Sequence, residues 1–500
     1  MRNLCSSVFI CGSSGILLAL SFPKPNLPFL AWVALVPMML VCAQQTTGRR
    51  FLLGWLAGFV FFLGTCYWCY IVMNVHGHLD PPVAAGVLVA MAAGLAIYWG
   101  LFTAALPAVL GGPWRTLLSV GALWTATEFA RGHVFIGFPW LFLGYATTDH
   151  AMLARLASIT GVYGLSFLVA AFNAGVFLVI RNPVRAWGMR LAVALFALAA
   201  LSLSGGMLKG REPARQTAYL LQTNIPLEME WTTAYLDQLY TETRTQLLAR
   251  YARNGSQGGL IVWPETPAPF YYYDDLALRD YLASLTRATA SPMVFGTVTF
   301  ADVQRMQPMN TALALSPEGD LRGRYDKIEL VPFGEHVPYA WLFSFAGKLT
   351  TEVGDFVPGR RYALLEGPEG SRIAALICYE AGFPGLVRKL TSRGANVLLN
   401  LSNDGWYGDS AARAQHLLMA RMRAIENDRW MLRATNDGIT AVIDPQGGVQ
   451  AFEGKRRAAY AARYGLKTST TLYTRFGDWF AYLAVAWSCA AVAMSMRNKP

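Results

Sequence analysis

The sequence predicts a membrane protein with two unlike halves, an α-helical membrane half followed by an α/β globular half. Of its 500 residues, 54% are apolar and only 15% are charged, giving a mean hydropathy of +0.32. Soluble chains usually have a charged fraction of about a quarter. The charges are also unevenly shared, because residues 1–210 contain 14 of the 73 Asp, Glu, Lys and Arg residues. After residue 216 the long apolar runs give way to alternating strand-like and helix-like segments.

Eight apolar segments are predicted to cross the membrane as helices, because each supplies close to the roughly 20 residues that span the hydrocarbon core. They are residues 3–23, 25–48, 51–79, 81–114, 116–131, 156–180, 191–208 and 479–496. The segment between the fifth and sixth, residues 132–150, contains Gly, Pro and several aromatic residues. This composition favours a segment that lies along the outer membrane interface.

The distribution of Lys and Arg predicts the orientation. With a cytoplasmic N-terminus, inside loops and ends carry nine Lys or Arg residues and the short outside loops carry three. The positive-inside rule then places both termini in the cytoplasm and residues 209–475 outside. In a bacterium with two membranes that side is the periplasm. The net charge of +11 is thus interpreted as a topology signal and not as a nucleic-acid surface.

We therefore predict three regions. Residues 1–208 form a membrane domain with helices one to seven, residues 209–475 form an extracytoplasmic domain, and residues 476–500 form the eighth helix and a cytoplasmic tail. Glu128 is the one carboxylate predicted at membrane depth, where ionisable groups often serve function. A structural role is at least as well supported, with Glu128 reaching water or pairing with Arg131 one helical turn away.

The globular half has the pattern of a layered α/β domain. Strand-like segments are predicted at 217–224, 260–264, 293–300, 311–315, 373–378, 396–402, 431–436 and 439–444. Helices are predicted at about 232–251, 276–290 and 411–427. Neither a dinucleotide-binding GxGxxG nor a phosphate-binding GxxxxGK[ST] motif is present, so no nucleotide cofactor is expected.

Residues that suit covalent catalysis occur in three motifs. Glu265 follows the strand-like LIVW, Lys327 lies in RYDKIELVPFGEHVP, and Cys378 ends the apolar run IAALIC. A thiol with a pKa of about 8.5 is a weak nucleophile at neutral pH unless a base or a cation assists it. Glu265 supplies a base and Lys327 a cation for an oxyanion, and Glu335 is suited to orient either Lys327 or the acceptor amine. From spacing alone, a coincidence of these common residue types is better supported than a catalytic trio.

Histidine and metal chemistry have weaker support. His336 and His416 are the two histidines of the globular half, and neither lies in a metal-ligand spacing. A Cys/His dyad with either one remains open. Cys66 and Cys69 form a CxxC within a predicted membrane helix without a second pair, so neither a redox nor a metal role is expected.

The motifs WPE, RYDK and ICYE resemble the Glu, Lys and Cys triad of the nitrilase superfamily, in the same order. Together with eight predicted spans, the chain resembles the apolipoprotein N-acyltransferase family nearly end to end. The resemblance includes TEFARGHVFIGFPW, LVPFGEHVP, LSNDGWYGDS and QHLLMARMRAIE. It implies a nitrilase-like α-β-β-α sandwich beside the membrane helices, and a location in the bacterial inner membrane.

The resemblance also implies roles and partners. Glu265 is the base, Lys327 the oxyanion stabiliser and Cys378 the nucleophile. Four further residues match positions that support the site: Glu335, Tyr379, Glu380, and Trp231 on a mobile segment. The implied reaction is ping-pong: a phospholipid donates its sn-1 acyl chain to Cys378, and the N-terminal amine of a diacylglyceryl-cysteine lipoprotein accepts it. No cofactor or metal is required, and the protein is expected to act as a monomer.

Two other functions remain open at this stage. The same triad with water as the acceptor would make a membrane-tethered amidase or thioesterase, because the choice of acceptor depends on site shape and water exclusion. A transporter whose globular half only binds ligand would need charged or broken helices along a path. The spans offer little of this apart from Glu128.

Overall fold

The structure is a computed structural model that describes residues 4–181, 214–228, 230–265, 271–302, 304, 307–339, 356–452 and 454–497. The first region contains eight α-helices among these residues. They are α1 (Leu4–Leu20), α2 (Val36–Cys42), α3 (Thr47–Cys66), α4 (Trp68–Ile71), α5 (Pro81–Val109), α6 (Pro113–His133), α7 (Ala151–Ala154) and α8 (Ala157–Arg181). Short 3₁₀ helices at Pro28–Trp32 and Leu143–Thr147 and a π-helix at Val72–His76 complete it.

Four described helices are long and apolar enough to cross a membrane: α3, α5, α8 and the C-terminal helix Trp479–Arg497. Leu4–Leu20 and Pro28–Cys42 are apolar but shorter, and the second is divided between a 3₁₀ helix and α2. The fifth predicted span forms α6, and the seventh, residues 191–208, lies outside the described residues. The structure thus has several apolar helices, and it does not establish the predicted count of eight.

Small residues let α3 and α5 pack closely. A Cβ atom added to Gly54 would lie 1.9 Å from Thr103 Oγ1, and one added to Gly58 would lie 2.7 Å from the Trp99 ring. Both distances are far inside van der Waals contact, so only glycine fits at these two positions. The spacing of the two glycines is the GxxxG pattern that brings membrane helices together.

The segment predicted along the outer interface is partly buried instead. Phe135 is 78% exposed, but the residues from Trp140 to Thr148 are buried. Two polar groups of α6 hold this segment: the Glu128 carboxylate accepts a hydrogen bond of 2.7 Å from the Leu143 amide, and Arg131 donates to the carbonyl oxygen of Trp140 at 2.7 Å. Glu128 therefore binds backbone inside the protein and does not reach out to water.

The globular half contains twelve described strands and five described α-helices before the C-terminal helix. The strands are β1 (Gln216–Gln222), β2 (Leu260–Val262), β3 (Met293–Asp302), β4 (Gln307–Leu315), β5 (Leu321–Asp326), β6 (Leu365–Glu366), β7 (Arg372–Ile377), β8 (Val397–Ser402), β9 (Met431–Thr435), β10 (Thr440–Ile443), β11 (Val449–Phe452) and β12 (Ala458–Tyr464). The helices are α9 (Thr233–Arg253), α10 (Leu276–Thr289), α11 (Pro384–Ser392) and α12 (Ala412–Asn427), followed by α13 (Leu472–Phe476) and α14 (Trp479–Arg497).

The strands form two six-stranded sheets that pack face to face. Their orders are β12-β1-β2-β3-β4-β5 and β11-β10-β9-β8-β7-β6, and each sheet has three parallel central strands, β1 to β3 and β7 to β9. One apolar core joins the two sheets, with Leu220 and Val262 on one side and Leu376 and Leu399 on the other. Helices α9 and α10 cover the first sheet, and α11 and α12 cover the second. This arrangement is the α-β-β-α sandwich that the resemblance implies.

Most strands lie where the hydrophobic pattern predicts them, but β5, β6, β11 and β12 were not predicted. The sequence of β12, AAYAARY, is rich in alanine, which favours helix. It forms a strand because seven of its residues pair antiparallel with β1, more than 200 positions earlier in the chain. Tertiary pairing thus overrides local propensity here.

The parallel strands bring two chemical motifs to corresponding ends of the two sheets. Glu265 follows β2 by three residues, and Cys378 follows β7 immediately. Layered α/β proteins collect reactive groups at such carboxyl ends. Helix α12 then joins this region to the membrane half, because Gln415 accepts a 2.8 Å hydrogen bond from Trp140 Nε1 and donates to the Thr65 carbonyl at 3.1 Å.

Candidate active site

The structure brings the predicted trio together and adds Glu335 to it. Lys327 Nζ lies 2.8 Å from Glu335 Oε1 and 3.7 Å from Glu265 Oε1. The Cys378 thiol lies close enough to Glu265 and Lys327 for the charges of both to act on its pKa. The Lys327 side chain is only 1% exposed, and Cys378 is 6% exposed. The four side chains therefore form one group of two carboxylates, one ammonium and one thiol, in which the ammonium and the thiol are buried and the carboxylates are partly exposed.

Asn310, on β4, is a fifth member that the sequence did not reveal. Its side-chain amide donates to Glu265 Oε1 at 2.8 Å and to Glu335 Oε1 at 3.0 Å. It thereby fixes the two carboxylates on either side of Lys327. We call Glu265, Asn310, Lys327 and Glu335 the thiol-side cluster. No sequence motif marks Asn310, which looks like an ordinary polar residue of an alternating strand.

The charges of the thiol-side cluster set its protonation. Burial raises the pKa of Glu265, although the charge of Lys327 opposes this. Burial acts against the charge of Lys327, but Glu335 and Glu265 outweigh it and raise the lysine's pKa. Burial and the negative charge of Glu265 raise the pKa of the Cys378 thiol to about 12. At neutral pH the site thus holds a protonated thiol beside a base, and an ammonium that keeps its charge.

Comparisons with known proteins now identify the family. Residues 14–175 match the model for the apolipoprotein N-acyltransferase N-terminal domain, and residues 220–461 match the carbon-nitrogen hydrolase model. A Geobacter metallireducens protein named apolipoprotein N-acyltransferase is 36% identical over 503 residues, covering 97% of this chain and 94% of the relative. The chain belongs to the apolipoprotein N-acyltransferase family.

Other relatives carry the same name. A Rhodopseudomonas palustris protein is 31% identical and covers 94% of this chain and 92% of its own, and a Pseudomonas putida protein is 32% identical with 88% coverage of both. Among solved structures, Saccharomyces cerevisiae Nit3, a member of branch 10 of the nitrilase superfamily, aligns with a TM-score of 0.40 at 17% identity. It covers 51% of this chain and 93% of its own.

In this apolipoprotein N-acyltransferase family member, Cys378 has an unusual backbone conformation. It begins the 3₁₀ helix Cys378–Gly382 directly after β7, with φ at +49°. A non-glycine residue in this region costs roughly 1–3 kcal/mol, which the surrounding structure must offset. Glu380 does so in part, since its Oε2 accepts a 2.7 Å hydrogen bond from the Ile377 amide just before the bend.

Glu380 also ties this bend to the segment that follows Lys327. Its Oε1 accepts hydrogen bonds from the Ile328 amide at 2.7 Å and the Tyr325 hydroxyl at 2.8 Å. The carboxyl is completely buried, and burial raises its pKa to about 7 although these hydrogen bonds lower it. Glu380 therefore contacts the backbone on both sides of the site, and it positions Cys378 relative to Lys327.

A second polar group lies behind the nucleophile. His416 Nε2 is 2.9 Å from the carbonyl oxygen of Cys378, and its Nδ1 is 3.2 Å from Arg433 Nη2. Arg433 forms an ion pair of 2.5 Å with Asp404 and hydrogen-bonds to Asn400. We call Asn400, Asp404, His416 and Arg433 the carbonyl-side network. Each of its side chains is completely buried.

The carbonyl-side network decides the role of histidine. Burial and the charge of Arg433 lower the pKa of His416, so the ring is neutral at neutral pH. Because a carbonyl oxygen only accepts, Nε2 carries the proton. The Arg433 guanidinium holds the pKa of Asp404 well below its usual range, although burial acts in the opposite direction. His416 thus binds the main chain of Cys378, and the Cys/His dyad that the sequence left open is wrong for this residue.

The remaining predicted residues lie as follows. Tyr379 is buried and stacks on Trp140 with ring centroids 6.3 Å apart, so it joins the site to the membrane half. Trp231 packs against Tyr235 with ring centroids 6.0 Å apart, just before and within α9. Its supporting role stays a prediction. His336 lines a cavity of about 410 Å³ beside Tyr379.

Within the described residues, no group of three or more His, Cys, Asp and Glu side chains is arranged to hold a metal ion. All seven cysteines are described and free of disulfide bonds, including Cys66 and Cys69. The side chains that the site brings together are a thiol, two carboxylates and an ammonium.

Proposed function

We propose that this chain moves the sn-1 acyl chain of a phospholipid to the N-terminal amine of a diacylglyceryl-cysteine lipoprotein, by way of a thioester on Cys378. The single observation that carries the proposal is the burial of the Cys378 thiol beside the pair formed by Glu265 and Lys327, whose Oε1 and Nζ atoms are 3.7 Å apart. A nucleophile, a base and a cation in contact are the parts that acyl transfer requires.

In the first half-reaction Glu265 takes the thiol proton as the sulfur attacks the sn-1 ester carbonyl. With a thiol pKa of about 12, the thiolate exists only while attack proceeds, so the base must act in the same step. Lys327 stabilises the oxyanion that forms. The lysophospholipid leaves with the proton from Glu265, and the acyl chain remains on sulfur.

In the second half-reaction the acceptor amine attacks the thioester. Glu265 accepts a proton from the amine, Lys327 again stabilises the oxyanion, and the sulfur leaves and takes up the proton as a thiol. The thioester retains the transfer potential of the ester, so no ATP is consumed. Burial of the cluster supports amine over water as acceptor, because a site that excludes water protects the intermediate from hydrolysis.

The membrane arrangement belongs to the same proposal. Eight helices cross the inner membrane, both termini lie in the cytoplasm, and residues 209–475 form the catalytic domain in the periplasm, between a membrane domain of residues 1–208 and the final helix at 476–500. The two family models, at 14–175 and 220–461, support this division. Tethering at both ends keeps the nucleophile close to lipid carbonyls. That the protein acts as a monomer stays a prediction.

The test uses detergent-purified full-length protein and a phospholipid with a labelled sn-1 chain. We expect a hydroxylamine-sensitive label on the wild type, none on Cys378→Ser, and release of the label as an amide on a diacylated lipopeptide. Cys489→Ser is the matched control, since this cysteine is exposed in the C-terminal helix. Release of free fatty acid instead of amide would show a hydrolase, and a folded wild type without label would contradict the thioester.

A further inference from the structure

A cavity of about 410 Å³ lies where the membrane half meets the site. Phe135 and Ile136 of the membrane half form one wall, and the segment after Lys327 together with Tyr379 and Phe383 forms the other. Phe135 is 78% exposed, so this wall of the cavity lies at the protein surface. A hydrogen bond of 3.1 Å from the Tyr339 hydroxyl to the Phe135 carbonyl oxygen joins the two walls.

Glu329 is the one carboxylate among the residues that line this cavity. It is partly buried, and within the described part of the chain its carboxylate has neither a hydrogen bond nor an ion pair within 4.0 Å. Its backbone is nonetheless fixed, because the Glu329 amide donates to Glu380 Oε1 at 3.2 Å. Partial burial raises the cost of leaving this anchored carboxylate unpaired, so a cationic ligand in the cavity would stabilise it.

The aromatic rings of the cavity suit the same kind of ligand. Tyr379 and Phe383 pack edge to face with ring centroids 4.9 Å apart, and Phe135 and Tyr339 also line the space. A carboxylate beside aromatic rings is the combination that binds amines and ammonium groups, by ion pairing and by cation–π attraction. Among the described residues, Lys389 and His133 act on Glu329 only through space, and Lys389 donates to the Tyr362 hydroxyl at 3.2 Å.

We propose that Glu329 and the aromatic wall of this cavity bind the ammonium group of a substrate. The inference rests on the proposed function, which supplies two sources of that group: the headgroup of an ethanolamine phospholipid donor, and the α-amine of the lipoprotein acceptor. The distance between Glu329 and Lys327 fits either source of the ammonium group. Glu329 is two residues from Lys327, so their Cα atoms are at most about 7 Å apart, a separation within the length of a phospholipid headgroup.

The test compares the two half-reactions in wild type, Glu329→Gln and Glu329→Lys. For donor binding, we expect wild type to form the acyl-enzyme with phosphatidylethanolamine about three- to tenfold more efficiently than with phosphatidylglycerol, Glu329→Gln to lose this preference, and Glu329→Lys to reverse it. For acceptor binding, the first half-reaction is unchanged and the KM for a diacylated lipopeptide rises three- to tenfold in Glu329→Gln. Glu318→Gln is the control, because Glu318 is exposed in the turn before β5.

Two outcomes separate this inference from the proposed function. If wild type and Glu329→Gln agree within twofold in both half-reactions, Glu329 does not bind the ammonium and the inference is wrong, while acyl transfer stands. If the wild type forms no acyl-enzyme, the proposed function fails. Binding of the two phospholipids to Cys378→Ser, with and without Glu329→Gln, then still decides the inference, since a loss of ethanolamine-lipid preference would support it and equal binding would overturn it.

Discussion

The thiol-side cluster and the carbonyl-side network contact the same residue, Cys378, but they balance charge differently. The first contains two carboxylates and one ammonium, with an amide between the carboxylates. The second pairs one carboxylate with one guanidinium beside a neutral imidazole. The excess negative charge next to the thiol suits Glu265, which must accept a proton. The balanced pair of Asp404 and Arg433 suits a network that only holds the backbone in place. The contrast teaches that burial alone does not mark the reactive side.

The largest expected effect comes from removing the base on the thiol side. In Glu265→Gln burial still raises the pKa of the Cys378 thiol, and no group takes its proton during attack. We expect the rate of acyl-enzyme formation to fall by about 10²–10⁴-fold. Rapid-quench measurement of thioester formation checks this.

The control for Glu265→Gln is Glu366→Gln, which changes an exposed carboxylate on β6. Its rate should equal that of wild type. A Glu265→Gln protein that is folded and retains a tenth or more of wild-type activity would remove Glu265 from the mechanism.

Substitutions in the carbonyl-side network should instead lower the thermal stability of the protein. Arg433→Met removes the guanidinium partner of buried Asp404 and leaves His416 as its remaining ion-pair neighbour, and breaking a buried pair in this way costs about 3–5 kcal/mol. Thermal unfolding in detergent should show a large drop in midpoint. Arg322→Met, whose ion pair with Asp320 is exposed, should stay within about 0.5 kcal/mol of wild type.

A double variant sharpens this comparison. Asp404→Asn removes the unpaired charge from Arg433→Met, so the double variant should recover part of the lost stability. If the double variant is the sum of its parts, the two residues do not act as a pair and the carbonyl-side network is misassigned.

Asn310 tests whether the thiol-side cluster depends on its geometry. Asn310→Ala removes two hydrogen bonds to carboxylates, and we expect kcat to fall by about 10–100-fold with little change in stability. Asn310→Asp places a third negative charge beside Glu265 and should lower activity further. Steady-state kinetics of both variants check this, and an Asn310→Ala protein with wild-type kcat would show that the amide only fills space.

The sequence predicts the reactive residues better than it predicts what holds them. Glu265, Lys327 and Cys378 lie in motifs whose chemistry is visible without a structure, and apolar periodicity places β2 and β7 before them. Asn310 and Arg433 are different, because each acts through contacts with residues 17 to 45 positions away. Such contacts depend on strand pairing, and β12 shows how pairing overrides the local pattern. The burial of Trp140 was missed for the same reason.

The smallest expected effect is on the pH dependence of activity, which should depend on the thiol-side cluster and not on His416 of the carbonyl-side network. Glu265 must be deprotonated to act, and its pKa is raised above the ordinary value of 4.5, so activity should rise with pH at values above 4.5, along the acid limb of the pH profile. The pKa of Lys327 is also raised, so its deprotonation should cause no loss of activity below about pH 10.5. Burial and the charge of Arg433 lower the pKa of His416, whose Nε2 donates to the Cys378 carbonyl and whose Nδ1 lies 3.1 Å from Asp404. Because glutamine also carries a donor, His416→Gln should keep the pH limb in place and lower kcat about fivefold or less, with KM unchanged. His416→Leu, which has no donor, should lose more. A limb that moves or disappears in His416→Gln would mean that this histidine exchanges protons with the reaction, and the division into a reactive and a supporting side would then be wrong.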